Sequence, residues 1–168
     1  KIANLISLIY ENMGNTNAAV EQLQNAIKNL NGKISQNMHS GLLTRIAEIY
    51  FASHDYVKAI DFFNNAEALA EKPIAKANIF DFLGASYGNL ANGVAAIEAL
   101  NKALKIYEEL GDKPHIAKTN NQISQCYRVS KQYNKCIEYA LITLPLIKEL
   151  AGKEIDGFNS NEQLSICY

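Results

Sequence analysis

The chain has no uninterrupted apolar run of about 18 residues, so no helix is expected to span a membrane. It also has no surplus of charge of either sign. Sixteen basic residues stand against 17 acidic ones, and neither half is strongly basic. Non-specific nucleic-acid binding needs a basic footprint and is not expected. No signal peptide precedes the first apolar-periodic segment, which opens directly at Lys1. An initiating methionine is missing, and Tyr168 falls inside a helical pattern. The expectation is a piece of something longer or a processed chain, which leaves open an export signal lost with the N-terminus. Cysteine is scarce: residues 126, 136 and 167, an odd number at unrelated spacings, make no disulfide framework. Each falls at an apolar position of a helical pattern, where cysteine acts as a small hydrophobe. A reducing, cytoplasmic setting is expected.

What is present is a repeat. Tyrosines stand at 10, 50, 87, 127 and 168, separated by 40, 37, 40 and 41 residues. Nine residues after each of the first four comes a small residue: Ala19, Ala59, Ala96, Cys136. Four residues further come Leu23, Phe63, Leu100 and Ala140, and three beyond those Ala26, Ala66, Ala103 and Thr143. Four residues before each tyrosine the chain is apolar: Ile6, Ile46, Leu83, Ile123 and Leu164. Three before, it is small: Ser7, Ala47, Gly84, Ser124 and Ser165. A generic amphipathic helix repeats polarity, not side-chain size at fixed columns. Recurrent small residues let helix axes approach while larger neighbours fill the grooves. One helix pair of this length cannot bury its apolar face alone, so pairs must stack.

Turn residues divide the pattern. First helices are expected near 1–13, 35–53, 74–90, 115–130 and 160–168, and second helices near 17–31, 56–71, 93–110 and 133–150. Gly14-Asn15, Ser53-His54-Asp55, Asn92-Gly93 and Ser130-Lys131 break the hairpins. Asn31-Gly32, Lys72-Pro73, Gly111-Asp112 and Gly152 end the second helices. Pro114 suits a first turn, whereas Pro145 should kink its helix or mark a misplaced boundary. Residues 152–160 form the longest connection, followed by Ser160 as an N-cap with Gln163 as its reciprocal partner.

These columns resemble the tetratricopeptide repeat: apolar, small and aromatic on a first helix, then alanine, a large apolar residue and alanine on a second. The resemblance covers nearly the whole chain. It departs from the family in its period of about 40 instead of 34. The usual tryptophan column holds Ala3, Leu43, Phe80, Asn120 and Asn161, and the terminal proline column lacks proline. Such extended repeats resemble those of bacterial regulators and of sensing regions in signalling proteins. The implied fold is all-α, a right-handed α-α superhelix or solenoid of helical hairpins. Its units are expected at about 1–33, 34–72, 73–112 and 113–152, with a partial fifth at 159–168.

Chemistry finds little support in the sequence. His39, His54 and His115 lie in or near turns, far apart, and are expected to be solvated. No histidine, cysteine or carboxylate cluster has metal-ligand spacing, no glycine-rich phosphate loop occurs, and no cysteine has a histidine at a repeating offset. Glycines 84 and 88 lie within a helix, and close packing explains Gly84. The tyrosines are expected to pack into the core, although their hydroxyls can reach the groove. No cofactor, no metal and no enzymatic activity are expected.

The resemblance implies a concave face lined by first helices. Its positions select Asn4, Leu5, Leu8, Glu11 and Asn12 in unit one, and Thr44, Arg45, Glu48, Phe51 and Ala52 in unit two. In unit three they select Asp81, Phe82, Ala85, Gly88 and Asn89, and in unit four Asn121, Gln122, Gln125, Arg128 and Val129. The ligand-binding candidates are the polar members Asn4, Asn12, Arg45, Glu48, Asp81, Asn89, Asn121, Gln122, Gln125 and Arg128, with Phe82. Amides both donate and accept, so they suit a peptide backbone. Arg45 and Arg128 suit ligand carboxylates, and Phe51 and Phe82 read as exposed aromatics. The lysine–asparagine clamp with which some relatives hold a C-terminal carboxylate does not fit. Thr44, Glu48, Phe82, Lys118 and Gln122 stand at its positions in one register, and Asn4, Leu8, Arg45, Asn78 and Phe82 in the other. The leading expectation is a protein- or peptide-binding module, as scaffold or sensing region. The alternatives are a sensor segment coupled to a cyclase, kinase or DNA-binding domain, and self-assembly through an uncapped terminal repeat.

Overall fold

The structure is a computed structural model that describes residues 2–29 and 34–151, with the side chains of 2–6 and 151 left out of the description. The described residues form eight α-helices and no strand: α1 (Ile2–Asn12), α2 (Thr16–Asn29), α3 (Gln36–Ala52), α4 (Tyr56–Leu69), α5 (Pro73–Asn89), α6 (Gly93–Leu110), α7 (Lys113–Val129) and α8 (Tyr133–Ala151). Each helix packs on its neighbours in sequence, and α5 also touches α7. This is an all-α solenoid of consecutive hairpins, as the column pattern predicts. The expected helix at 160–168, the connection 152–160, Gly32, Gly152 and the Ser160–Gln163 cap lie outside the described residues.

The repeat columns are the core. Ala19, Ala59, Ala96 and Cys136 are all fully buried, and Leu23, Phe63, Leu100 and Ala140 are buried beneath them. Ile46, Leu83 and Ile123 face them from the first helices. Gly84 packs so closely that an added Cβ would lie 2.5 Å from Leu100 Cγ. Tyr50 and Tyr127 occupy matching, half-buried surroundings. Tyr50 stacks on Phe62 at 5.5 Å with Lys58 Nζ over its ring, and Tyr127 meets Tyr139 at 5.6 Å with Lys135 Nζ over its ring. The partners stand eight and twelve residues after each tyrosine.

The turn inside each hairpin has one design. The residue five after the tyrosine donates its N–H to the tyrosine carbonyl: Asn15 to Tyr10, Asp55 to Tyr50, Asn92 to Tyr87 and Gln132 to Tyr127. The residue before it lies in the left-handed region: Gly14, His54, Ala91 and Lys131. Together these close the first helix with a Schellman motif. The same residue that closes one helix then caps the next. Asn15, Asp55 and Asn92 accept from the backbone N–H three residues on, at 3.1, 3.2 and 3.2 Å. Gly111 repeats the left-handed device at the end of α6, and Asp112 caps α7.

Pro145 lies inside α8, so the expected boundary of this helix stands. It sits on the exposed side, so the carbonyl of Leu141, four residues back, loses its helical partner where water replaces it. Cys126 is free and half-buried.

Candidate functional site

The first helices α3, α5 and α7 line up side by side and leave a cleft of about 530 Å³ between them. Arg45, Glu48, Asp81 and Phe82, four of the candidates, lie in its wall. Asn89, Gln122, Gln125 and Arg128 line a second, separate cleft of about 300 Å³ between α5, the start of α6 and α7. Asn12 is exposed and Asn121 half-buried, and neither lines either cleft. The side chain of Asn4 lies outside the described residues. Eight of the candidates thus line two clefts.

Two charged residues of the central cleft, Arg45 and Asp81, are already engaged. Arg45 Nη2 donates to both Glu11 oxygens, at 2.7 and 2.9 Å, and Nη1 to Glu48 Oε2 at 3.0 Å. The guanidinium expected to meet a ligand carboxylate is held by two carboxylates of its own chain. Asp81 is buried and receives Lys118 Nζ and, more weakly, Thr119 Oγ1 at 3.4 Å. A buried carboxylate needs such partners, because leaving it unpaired in a dry site is costly. Phe82 is half-buried, stacked on Phe63 at 5.2 Å and edge-on to Phe51 at 5.6 Å. The two aromatics expected to be exposed instead pack on each other, since neighbouring hairpins bring their columns together.

The cleft extends further along α3, α5 and α7 than the sequence analysis placed it. Gly41, Asn78 and Lys118, each nine residues before its tyrosine, all line it. They continue the helical face of the residues five or six before the tyrosine by one turn, so periodicity alone carried the signal. Asn37, Lys72 and His115 add the far end. Lys72 is exposed and forms no ion pair among the described residues. Lys72 and Lys118 stand at this end, while Glu48 stands at the opposite end.

His115 corrects the expectation of solvated loop histidines. It sits half-buried in the first turn of α7, its Nδ1 2.8 Å from Asp112 Oδ2 and its ring stacked on Tyr107 at 4.7 Å. Tyr107 is fully buried and donates its hydroxyl to Asn78 Oδ1 at 2.8 Å. Burial, with the nearby charges of Asp81 and Asp112, pushes the phenol far above its ordinary range, so it stays a donor. Asn78 thereby has its oxygen engaged as an acceptor.

The second cleft is built differently. Gly84, Gly88 and Gly93 line it beside Leu100, and no carboxylate does. Gln122 Oε1 is buried without a hydrogen-bond partner among the described residues. Cys126 also lines the cleft, and burial pushes its thiol above the ordinary value, away from thiolate chemistry. Among the described residues no group of histidine, cysteine and acidic side chains is arranged to hold a metal ion, and no helix is long and apolar enough to cross a membrane.

Residues 1–29 match the family model for the tetratricopeptide repeat. No curated protein matches the chain by sequence. Solved structures match it in fold. BtubC (BKLC) from P. vanneervenii aligns with a TM-score of 0.79 at 17% identity, over 94% of this chain and 66% of its own. Aspartyl phosphate phosphatase F from Bacillus subtilis aligns with a TM-score of 0.79 at 14% identity, over 89% of this chain and 40% of its own. MamA aligns with a TM-score of 0.70 at 20% identity, over 94% of this chain and 78% of its own. The chain therefore spans less than two thirds of the length of the first two.

Proposed function

We propose that this chain, a tetratricopeptide-repeat solenoid, binds an extended peptide segment of a partner protein in the cleft formed by α3, α5 and α7, and that it catalyses nothing. The observation that carries this reading is the cleft itself. It is open, runs across three consecutive first helices, and presents amide groups between a basic and an acidic end. Asn37 and Asn78 supply side-chain amides that suit a peptide backbone. Lys72 at one end suits an acidic side chain or a carboxylate, and Glu48 at the other suits a basic one. A ligand of mixed charge, acidic toward Lys72 and basic toward Glu48, fits better than one of a single sign.

The setting we propose is a scaffold or sensing region of a bacterial regulatory protein, supported by the likeness in fold to the Bacillus subtilis phosphatase. Selection from a random peptide display library against the folded chain tests the binding reading. Enriched peptides should lose at least tenfold in affinity on Lys72→Glu and recover when their own acidic residue is changed to lysine. Enriched peptides indifferent to both Lys72→Glu and Glu48→Lys would remove the central cleft as the site.

A further inference from the structure

The junction between the second and third hairpins is plugged by rings of the chain itself. Phe51, one residue after Tyr50, meets Tyr56 edge-on at 5.5 Å and Phe82 edge-on at 5.6 Å. Phe82 in turn stacks on Phe63 at 5.2 Å. One junction further, between the third and fourth hairpins, the register positions of Phe51, Tyr56 and Phe82 hold Gly88, Gly93 and Gln122. Two of the three rings are replaced by glycine, and all three replacements line the second cleft of about 300 Å³. A Cβ built on Gly88 would have nothing within 4 Å, so the chain leaves room for a side chain there. The rest of the wall suits a ring. Gly84, Leu100 and Val129 give it apolar surface, and Val129 is largely exposed. Arg128 supplies the charge of the wall, and no carboxylate lines it. Arg45 in the central cleft is held by Glu11 and Glu48, whereas Arg128 is exposed and forms no ion pair among the described residues.

We infer that the second cleft is a pocket for an aromatic side chain of a partner peptide, seated where register would place the rings of Phe51 and Tyr56, with an acidic residue beside it on Arg128. The ring covers apolar wall that is otherwise open to water. The carboxylate brings the counter-charge that the cleft lacks. A lysine or arginine beside the ring would meet Arg128 with like charge, which selects against it. A small side chain would leave part of the cleft empty and forfeit its contacts. The pocket is separate from the central cleft, so it stands or falls without the reading proposed for that cleft.

The test uses the capped peptide acetyl-Ser-Asp-Phe-Asp-Ser-amide, which carries one ring with an acid on either side. Binding is followed by NMR through the backbone amides of Gly84 and Gly93 and the side-chain Nε–H of Arg128. The peptide should give saturable shifts at these reporters. It should bind at least tenfold more tightly than the form with alanine in place of phenylalanine, or the form with lysine in place of both aspartates. Gly88→Phe, which returns the ring that Phe51 supplies one junction earlier, should abolish the shifts at Gly84 and Gly93. Gly88→Leu is the smaller plug, with the same expected result, if the ring disturbs folding. Arg128→Glu should reverse the charge preference, so that the lysine form binds more tightly than the aspartate form. An arginine with only a structural role would not reverse it. Equal binding of the alanine form, no saturable shift, an unaltered charge preference in Arg128→Glu, or binding that survives a plug in the folded protein each overturns the pocket. Shifts lost on Lys72→Glu but kept in Gly88→Phe would seat the peptide in the central cleft, overturning the pocket and leaving the proposed function intact.

Discussion

Arg45 reaches back across the first inter-hairpin junction and grips Glu11 with one guanidinium nitrogen on both carboxylate oxygens. The same two register positions hold Phe51 and Phe82 one junction later. The contact is a property of the superhelical register, and its chemistry is interchangeable. Both charged partners are between a fifth and a third exposed, so their coupling should be modest, about 0.2–1 kcal/mol in a double-mutant cycle. Arg45→Ala alone should cost more than the coupling, because Glu11 and Glu48 then face each other without the cation between them. The double change Glu11→Phe with Arg45→Phe should restore stability to the wild-type level or above it, as replacing an ion pair by packed apolar groups often does. Chemical denaturation of the wild type, Glu11→Ala, Arg45→Ala, the double alanine variant and the double phenylalanine variant checks this. A double variant less stable than Arg45→Ala would show that the two junctions are not equivalent.

Two glycines one turn apart on α5 should respond in opposite directions to the same substitution. Glycine within a helix costs roughly 0.5–1 kcal/mol relative to alanine. Gly88→Ala meets open space and should gain about that amount. Gly84→Ala drives its Cβ into buried Leu100 and should lose about 1–3 kcal/mol despite the better helix propensity. Thermal melts of the two variants give the signs directly, and a shared sign would contradict the packing described for the small column.

The same seam logic applies in the second hairpin. Ala59 is fully buried between α3 and α4, and Ala59→Tyr adds a ring where two helices touch. Its expected cost is about 1–3 kcal/mol or more, read from the denaturation midpoint. An unchanged midpoint would mean the small column does not lie in the seam.

The hairpins were legible in the sequence because their determinants are local. Tyrosine, turn residues and small residues recur at fixed spacing, and Asp55, Asn92 and Asp112 announce helix starts by their residue type. The central cleft was legible in part. Arg45, Glu48, Asp81 and Phe82 were found, whereas Asn78 and Lys118, one turn earlier on the same face, were not. What the repeat did not disclose is which columns of consecutive units meet. That offset is set by the superhelix, and it decides that Arg45 is engaged by Glu11 and that Phe51 covers Phe82. Tyr107 escaped notice for another reason. It belongs to no column, and its burial against His115 and Asn78 is specific to one unit.

Asp55 should make part of the stability sensitive to acid. Its carboxylate is held below its ordinary pKa by the Lys58 ammonium at 2.8 Å and then by the Lys58 backbone N–H. A carboxyl group with a lowered folded pKa stabilises the fold fully above its unfolded pKa of about 4. That contribution fades as the pH falls through the lower, folded value. Asp55→Asn keeps a capping oxygen, as Asn15 and Asn92 show in the same position, but cannot titrate. Urea midpoints measured between neutral pH and pH 2 should therefore fall less for Asp55→Asn than for the wild type. Parallel curves would mean the carboxylate charge contributes nothing at this cap.

The fourth hairpin lacks the cap the other three possess. Gln132 donates its backbone N–H to the Tyr127 carbonyl like its counterparts, but among the described residues its longer side chain has no capping bond to α8 of the kind Asn15, Asp55 and Asn92 form. Lys135 stands three residues on and over the Tyr127 ring, as Lys58 stands relative to Asp55 and Tyr50. Gln132→Asp should therefore rebuild the arrangement of the second hairpin, with a carboxylate that caps the helix, complements its dipole and meets the lysine. The gain should be about 1 kcal/mol at neutral pH, seen as a higher melting temperature. Gln132→Asn should recover the capping part without the charge, so the two variants should converge as the pH falls below about 4. If neither variant melts above the wild type, the equivalence of the four turns ends at their backbones, and Gln132 is held in place by something other than the helix it precedes.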